Sequence, residues 1–201
     1  MIVHRDWIIL SSRIKYTAVI LLLPIVTSIL VTSNVIIFIL THYYINDWYK
    51  LGSIPAYMIS DVYAFLITAL TSMFVHANIV HIAFNMLALV ALGRIIEGYL
   101  GSYRYIVVYL LSGITGVTMH TIYSIATSSN IYTPMVGASG AVSGIIGLAA
   151  VLGDRFAYVW LALQFIFIVA GLSSIAYFAH IGGFVFGFAV GRLMYKRYDI
   201  I

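Results

Sequence analysis

The chain has 201 residues, of which 63% are hydrophobic and only 8% are charged, and its formal net charge is +4. Soluble domains carry about 25% charged residues, so this composition excludes a soluble globular protein and indicates an all-α integral membrane protein. Because the chain contains no cysteine, disulfide bonds and thiol catalysis are excluded as well.

Continuous apolar runs divide the chain into six segments of helix length. We predict spans at about residues 16–40, 80–97, 103–125, 139–153, 156–171 and 177–195. With six spans, nine of the ten basic residues fall on one side of the membrane and only Lys50 falls on the other. The positive-inside rule then places both termini in the cytoplasm, with residues 1–15 as a short cytoplasmic segment. The positive charge is thus a topology signal rather than evidence for nucleic-acid binding, and we expect one polytopic domain over residues 1–201 in the plasma membrane.

The segment from about residue 42 to residue 79 connects the first two predicted spans and is rich in aromatic side chains. Its polar residues include Asn46, Asp47 and Asp61, which we interpret as loop residues. Trp and Tyr are favoured at the membrane–water interface, so we predict an interfacial loop, with contact to a substrate as the alternative.

A group of polar residues opens the second predicted span. His81 and Asn85 are four residues apart and therefore share one face of a helix. Both can donate hydrogen bonds, which suits either stabilisation of an oxyanion or a polar contact between helices. His76 lies nearer the surface, where a structural hydrogen bond explains it at least as well.

The fourth predicted span is too short to cross a membrane. Residues 139–153 make a helix of about 22 Å at 1.5 Å per residue, whereas the hydrocarbon core is about 30 Å thick. We therefore expect this helix to begin below the outer surface, with Ser139 at its start. The preceding segment, residues 127–138, contains Pro134 and Gly137 and must dip inward against protein or a water-filled cavity.

Two glycine-containing motifs carry the predicted chemistry. Glycines at 140, 144, 183, 187 and 191 give two helices smooth faces that can approach closely. That approach brings Ser139 within reach of His180, an intramembrane histidine and a candidate base for a serine nucleophile. Backbone N–H groups at the start of the helix, that of Ser139 included, point toward a developing negative charge. The motifs are Gly137-Ala138-Ser139-Gly140 and Ala179-His180-Ile181-Gly182-Gly183.

Carboxylates are scarce and lie at predicted helix ends or in loops, so we predict a Ser–His dyad in which packing positions His180. The same scarcity argues against an aspartyl protease, and the lack of an H-E-x-x-H motif argues against a zinc protease. A transporter or proton relay built on the intramembrane histidines is a further alternative, although such proteins normally bury carboxylates too. We attribute His42 and His120 to packing or a local hydrogen bond, and we interpret Glu97 and Arg104 as structural residues of the turn between the second and third spans.

The chain resembles the rhomboid family of intramembrane serine proteases. The resemblance rests on the H-x4-H-x3-N run that begins at His76, on the Gly-Ala-Ser-Gly and Ala-His-x-Gly-Gly motifs, and on the order of six spans. It covers a core at about residues 60–197, and it implies Ser139 as nucleophile and His180 as general base and then acid. It also implies an oxyanion hole made by the Ser139 backbone N–H with the side chains of Asn85 and His81. The implied supporting residues are His76, Gly137, Gly140 and Gly183.

The implied substrates are single-span membrane proteins cut in or near the bilayer, and no metal or cofactor is implied. Two features depart from the family pattern. Ser143 stands where an aromatic residue often packs on the catalytic histidine, and the Trp-Arg pair common in the first external loop is absent. An inactive rhomboid-like protein that binds membrane clients is the alternative function. Such relatives usually lose the serine or the histidine, and both are present here.

Overall fold

The structure, a computed structural model, describes residues 24–45, 47–171 and 176–198, with side chains described to residue 194. The predicted cytoplasmic segment 1–15 and the start of the first predicted span lie outside these residues.

Helices make up most of the described chain, with short 3-10 turns at Trp48–Leu51 and Ser72–Phe74. Within the described ranges, extended pairing is limited to an isolated bridge between Ser53 and Met135. The helices are α1 (Ile25–Tyr43), α2 (Tyr57–Ser60), α3 (Val62–Thr71), α4 (Ile79–Leu100), α5 (Ser102–Ala126), α6 (Ser139–Val151), α7 (Phe156–Val169) and α8 (Tyr177–Tyr198).

Local signals set both ends of α4. The Asn78 side chain caps the N-terminus by accepting a hydrogen bond from the His81 N–H at 2.9 Å. At the other end Gly101 has a φ of +77°, which residues with a Cβ rarely adopt, and α5 starts at the next residue. The predicted spans 80–97 and 103–125 therefore differ from α4 and α5 by only a few residues.

Among the described residues, four helices are long and apolar enough to cross a membrane, namely α1, α4, α5 and the Tyr177–Met194 part of α8. α6 and α7 are also apolar, but they have only 13 and 14 residues. At 1.5 Å per residue each extends about 20 Å, which is less than the hydrocarbon thickness of about 30 Å. An all-helical membrane protein is thus confirmed, whereas the count of six spans stays a prediction.

The connection between the first two predicted spans is more ordered than the sequence suggested. Asp61 caps α3, because its carboxylate accepts a hydrogen bond from the Ala64 N–H at 3.0 Å. Phe65 and Ala69 of α3 are buried against Val117 of α5. Asp61 thus lies at a helix end, and the connection contains a short helix that packs on the bundle.

α5, α6 and α8 pack closely at the centre of the bundle. Every α6 residue from 140 to 150 is buried. A Cβ at Gly183 would overlap the carbonyl oxygen of Gly140, and a Cβ at Gly187 would overlap that of Gly144. α6 and α8 therefore approach backbone to backbone, which confirms the close contact predicted from the small-residue faces.

Glu97 ties α1 to the core. Its carboxylate accepts hydrogen bonds from the backbone N–H groups of Val26 and Thr27, at 2.9 and 2.7 Å, and from the Thr27 hydroxyl at 2.8 Å. It also accepts from the Ser102 hydroxyl at 2.7 Å, at the turn into α5. The structural role predicted for Glu97 is confirmed, and the negative charge is placed against the positive N-terminal end of α1.

Candidate active site

Ser139 is the first residue of α6, and backbone contacts fix the segment that leads into it. The Gly137 N–H donates to the Ser72 carbonyl at 2.9 Å, and Met135 exchanges two backbone hydrogen bonds with Ser53 at 2.8 and 2.9 Å. Gly137 has a φ of +125°, which allows the chain to turn from this paired segment into the helix. The non-helical backbone before Ser139 is thus held against protein.

His180 lies in the first turn of α8, directly opposite Ser139. Its Nε2 is 2.8 Å from the Ser139 Oγ, which is hydrogen-bonding distance. Both residues are partly exposed in the structure. The close helix contact at Gly140 and Gly183 produces this juxtaposition, because it leaves no side chain between the two backbones.

A glutamine on α7 contacts the other ring nitrogen of His180. The Gln164 Oε1 lies 2.8 Å from the His180 Nδ1, and the Gln164 Nε2 donates to the Trp160 carbonyl at 3.1 Å. The expectation that packing alone positions His180 is therefore wrong. Sequence reasoning missed this contact because it looked for a carboxylate, although a lone glutamine in an apolar helix was a visible signal.

Aromatic rings pack around His180, and the sequence did not predict which residues would support it. Its ring centroid lies 5.5 Å from that of Trp160 and 6.4 Å from that of Tyr177, which meets it edge-on. Ser143, by contrast, is buried and donates its hydroxyl to the carbonyl of Ser139. The ring that supports His180 from α7 thus stands in place of an aromatic residue at position 143.

His81 and Asn85 lie on the face of α4 that approaches the start of α6. A Cβ at Gly137 would lie 2.6 Å from the His81 Nε2 and 3.6 Å from the Ser139 Oγ, so the ring and the hydroxyl both lie close to Gly137. Asn85 is buried, and its Nδ2 donates to the backbone carbonyl of His81 at 2.9 Å. The structure therefore brings His81 near Ser139, while the Asn85 hydrogen bond that it shows stays within α4.

His76 supports the chain just before Ser139. It is fully buried, and its Nε2 accepts a hydrogen bond from the Ala138 N–H at 3.4 Å. Its ring meets that of His81 edge-on, with centroids 5.0 Å apart. Burial, together with the neighbouring His81, lowers the pKa of His76 to about 3, so the ring stays neutral and Nε2 remains an acceptor.

The histidines interpreted as packing residues do pack against rings. His42 lies 4.1 Å from Phe38 and 6.4 Å from Trp48 by ring centroids. His120 lies 6.4 Å from Tyr123 by the same measure. These contacts confirm the packing interpretation for both histidines.

A small cavity lies beside Ser139. Its volume is about 20 Å³, which is enough for one water molecule or a methyl-sized group. Small residues dominate its walls, so it accepts little more than a short side chain. They include Ser72, Gly113, Gly137, Gly140, Ala176 and Ala179.

Comparison with known proteins places this site in context. The Rhomboid domain family model matches residues 64–197. The chain is 36% identical over 129 residues to Rhomboid protease GluP of Bacillus subtilis, covering 59% of this chain and 24% of that protein. It is 32% identical over 136 residues to RHOMBOID-like protein 6, mitochondrial, of Arabidopsis thaliana, covering 62% of this chain and 42% of that protein.

A fungal relative is similar to a comparable extent. Rhomboid-type serine protease 2 of Emericella nidulans is 32% identical over 133 residues, which cover 59% of this chain and 25% of that protein. The chain therefore spans less than half the length of each of these three relatives. The matched region contains every residue of the candidate site from His76 to His180.

Proposed function

The chain belongs to the rhomboid family, and we propose that it is an intramembrane serine protease in which Ser139 is the nucleophile and His180 the general base. The observation that supports this most directly is the 2.8 Å distance from the Ser139 Oγ to the His180 Nε2. A serine hydroxyl is a weak nucleophile until a base within this distance takes its proton. Both residues are partly exposed, and the proposal requires that a hydrolytic water reach them.

In the proposed reaction the Ser139 Oγ attacks the carbonyl carbon of the scissile bond while its proton passes to the His180 Nε2. The resulting imidazolium then protonates the leaving amide nitrogen, and the C–N bond breaks to leave an acyl-serine. A water molecule attacks this ester and gives its proton to the same Nε2. Return of that proton to the Ser139 Oγ releases the second product and restores the enzyme.

The negative oxygen of the tetrahedral intermediate needs donors near Ser139. We assign this role to the Ser139 backbone N–H and to the side chains of His81 and Asn85. His81 lies close to Gly137 and Ser139, and the Asn85 amide carries a second N–H besides the one that it donates to the His81 carbonyl. His76 supports this arrangement by holding the Ala138 N–H.

The proposed substrates are single-span membrane proteins cut in or near the bilayer. The cavity beside Ser139 favours a small side chain next to the scissile bond, since its volume is only about 20 Å³. We further propose a single polytopic domain with a rhomboid core at about residues 60–197, located in the plasma membrane with both termini cytoplasmic. α6 would then begin below the outer surface, where water and the substrate backbone meet.

A cleavage assay with paired serine variants tests this proposal. Ser139→Ala removes the nucleophile, so cleavage of a model transmembrane substrate by the purified protein should fall to background. Ser143→Ala is the matched control, because this second serine of α6 is buried and bonds only to its own helix in the structure. Its activity should stay within a few-fold of the parent protein.

Two outcomes would overturn the proposal. Cleavage that survives in Ser139→Ala would exclude this serine as the nucleophile. A parent protein that binds the substrate stably but never cleaves it would favour the client-binding alternative instead.

A further inference from the structure

α7 is held at the edge of the bundle by few side chains. Of its 14 residues only Ala157 and Gln164 are buried. A buried amide on an apolar helix is costly unless it finds hydrogen-bond partners. Its outward face is apolar and more than half exposed at Val159, Phe165, Ile166 and Val169.

The hydrogen bonds of Gln164 define which way its amide faces. The Trp160 carbonyl can only accept, so the amide nitrogen faces it at 3.1 Å and the amide oxygen faces His180. A carbonyl oxygen can only accept as well, so the His180 Nδ1 must carry a proton. The neutral ring then has its lone pair on Nε2, 2.8 Å from the Ser139 hydroxyl.

One face of α7 therefore supplies both contacts of His180 from that side. Trp160 and Gln164 are four residues apart, which places them one above the other on the helix. The Trp160 ring packs on the imidazole at 5.5 Å, and the Gln164 amide binds its Nδ1 at 2.8 Å. α6 carries the nucleophile and α8 carries the base, whereas α7 contacts the base from the side.

We propose that Gln164 is a positioning residue that fixes the reactive tautomer of His180, so that the base is competent only while α7 is seated against α8. The proposal rests on the proposed function and deepens it by naming an uncharged residue that orients the catalytic histidine. A neutral amide orients the ring without adding a charge to the apolar interior, where an unpaired carboxylate would be costly.

Titratable groups on three helices lie near His180. His81 on α4 and His120 on α5 interact with it electrostatically, and Tyr177 of its own helix meets its ring edge-on. In the part of the chain that the structure describes, the ionisable side chains that influence the charge of His180 are therefore histidines rather than carboxylates.

Substitutions at Gln164 separate the tautomer role from a packing role. Gln164→Leu keeps the bulk but loses the acceptor, whereas Gln164→Glu keeps an acceptor and adds a charge. The measurement is the rate at which a fluorophosphonate modifies the purified protein between pH 5 and 9, which depends on the base but not on any substrate. A parallel 15N NMR spectrum of His180 reports which ring nitrogen carries the proton.

We expect Gln164→Leu to lower the modification rate by about 10- to 100-fold, less than the roughly 10⁴-fold loss when a serine protease loses the acid that selects the tautomer. The spectrum should show Nδ1 protonated in the parent and a mixture of tautomers in the variant. Gln164→Glu should keep the Nδ1 proton and move the acidic limb of the rate profile to higher pH, because a carboxylate stabilises the imidazolium.

Leu163→Ala is the matched control, because this neighbouring residue of α7 faces outward. It should leave the rate, the pH profile and the tautomer unchanged. Parent-like rates and tautomer in Gln164→Leu would overturn the inference while leaving the protease assignment intact. A parent protein that is not modified at Ser139 would refute the protease assignment, and the NMR measurement would still decide the tautomer.

Discussion

The helix that carries the nucleophile and the helix that supports the base are packed very differently. In α6, 11 of 13 residues are buried, whereas in α7 only 2 of 14 are. Glycines let α6 touch the backbone of α8, while α7 reaches the bundle through Gln164, Ala157 and partly buried rings such as Trp160. The site therefore joins a rigid half, which fixes Ser139, to a lightly held half, which orients His180.

This difference follows from the residues available at each contact. A glycine interface locks two helices because any added atom meets backbone, which cannot move aside. A contact made by a few long side chains depends on their rotamers and on one buried amide. Substitutions in α6 and α8 should therefore disturb the fold first, and substitutions in α7 should disturb reactivity first.

The largest effect is expected at the rigid contact. Gly183→Ala places a Cβ on the carbonyl oxygen of Gly140, so the two helices must separate. We expect a loss of about 3 kcal/mol in the free energy of unfolding, at the upper end of the usual cost of overpacking. Thermal unfolding of the purified protein in detergent measures it.

Gly140→Ala is the control for that variant, because its Cβ would lie 3.5 Å from the Ala179 carbonyl oxygen, an ordinary van der Waals contact. Its stability should lie within about 1 kcal/mol of the parent, since alanine also favours the helix. Equal losses in Gly140→Ala and Gly183→Ala would contradict a backbone-to-backbone contact centred on Gly183.

A smaller effect is expected at the proposed oxyanion site beside Ser139. Asn85→Ala removes a candidate donor, and the scale of such a loss is about 10–10³-fold in turnover. The hydrogen bond that Asn85 makes is to its own helix, so the fold should persist. Turnover of a model substrate together with thermal unfolding separates the two effects, and unchanged turnover would remove Asn85 from the site.

The smallest effect is expected for a substitution at the contact between α7 and the rest of the bundle. Ala157→Leu adds bulk at a fully buried position of α7 and should push the helix outward, at about 1–3 kcal/mol of overpacking. If α7 orients His180, fluorophosphonate modification should slow by about tenfold, equivalent to about 1.4 kcal/mol in the barrier. The measurement is the modification rate at pH 7.

Val159→Leu tests whether position rather than size matters, because Val159 of the same helix is 56% exposed. It should leave the modification rate unchanged. A parent-like rate in Ala157→Leu, despite lowered stability, would show that the base does not depend on how α7 is seated.

The long helices could be predicted from the sequence because each is an uninterrupted apolar run that ends at a helix-terminating residue or a polar turn. Gly101 marks the boundary between α4 and α5, and residue 139 begins both the predicted fourth span and α6. α3 was not predicted, because an aspartate is as common in loops as at helix ends. Only the hydrogen bond from the Ala64 N–H identifies Asp61 as a helix cap. A short capped helix is a weaker signal than a long apolar run.

Two contacts could not be read from the sequence because they join distant segments. Glu97 caps α1 although it lies 70 residues from Thr27 in the sequence, and the two residues meet only because α1 packs on α4. Gln164 meets His180 only because α7 packs beside α8, and no spacing rule connects an amide to a histidine 16 residues away. The positions of Ser139 and His180, in contrast, follow from glycine motifs that lie next to them in sequence.

Identification of the residue that a fluorophosphonate modifies tests the central claim most directly. The purified protein would be treated with the reagent, digested and analysed by mass spectrometry, with His180→Ala treated in parallel. The adduct should lie on Ser139 alone in the parent, and His180→Ala should carry almost none. Modification of a different residue, or equal modification of Ser139 without the histidine, would contradict a serine activated by His180.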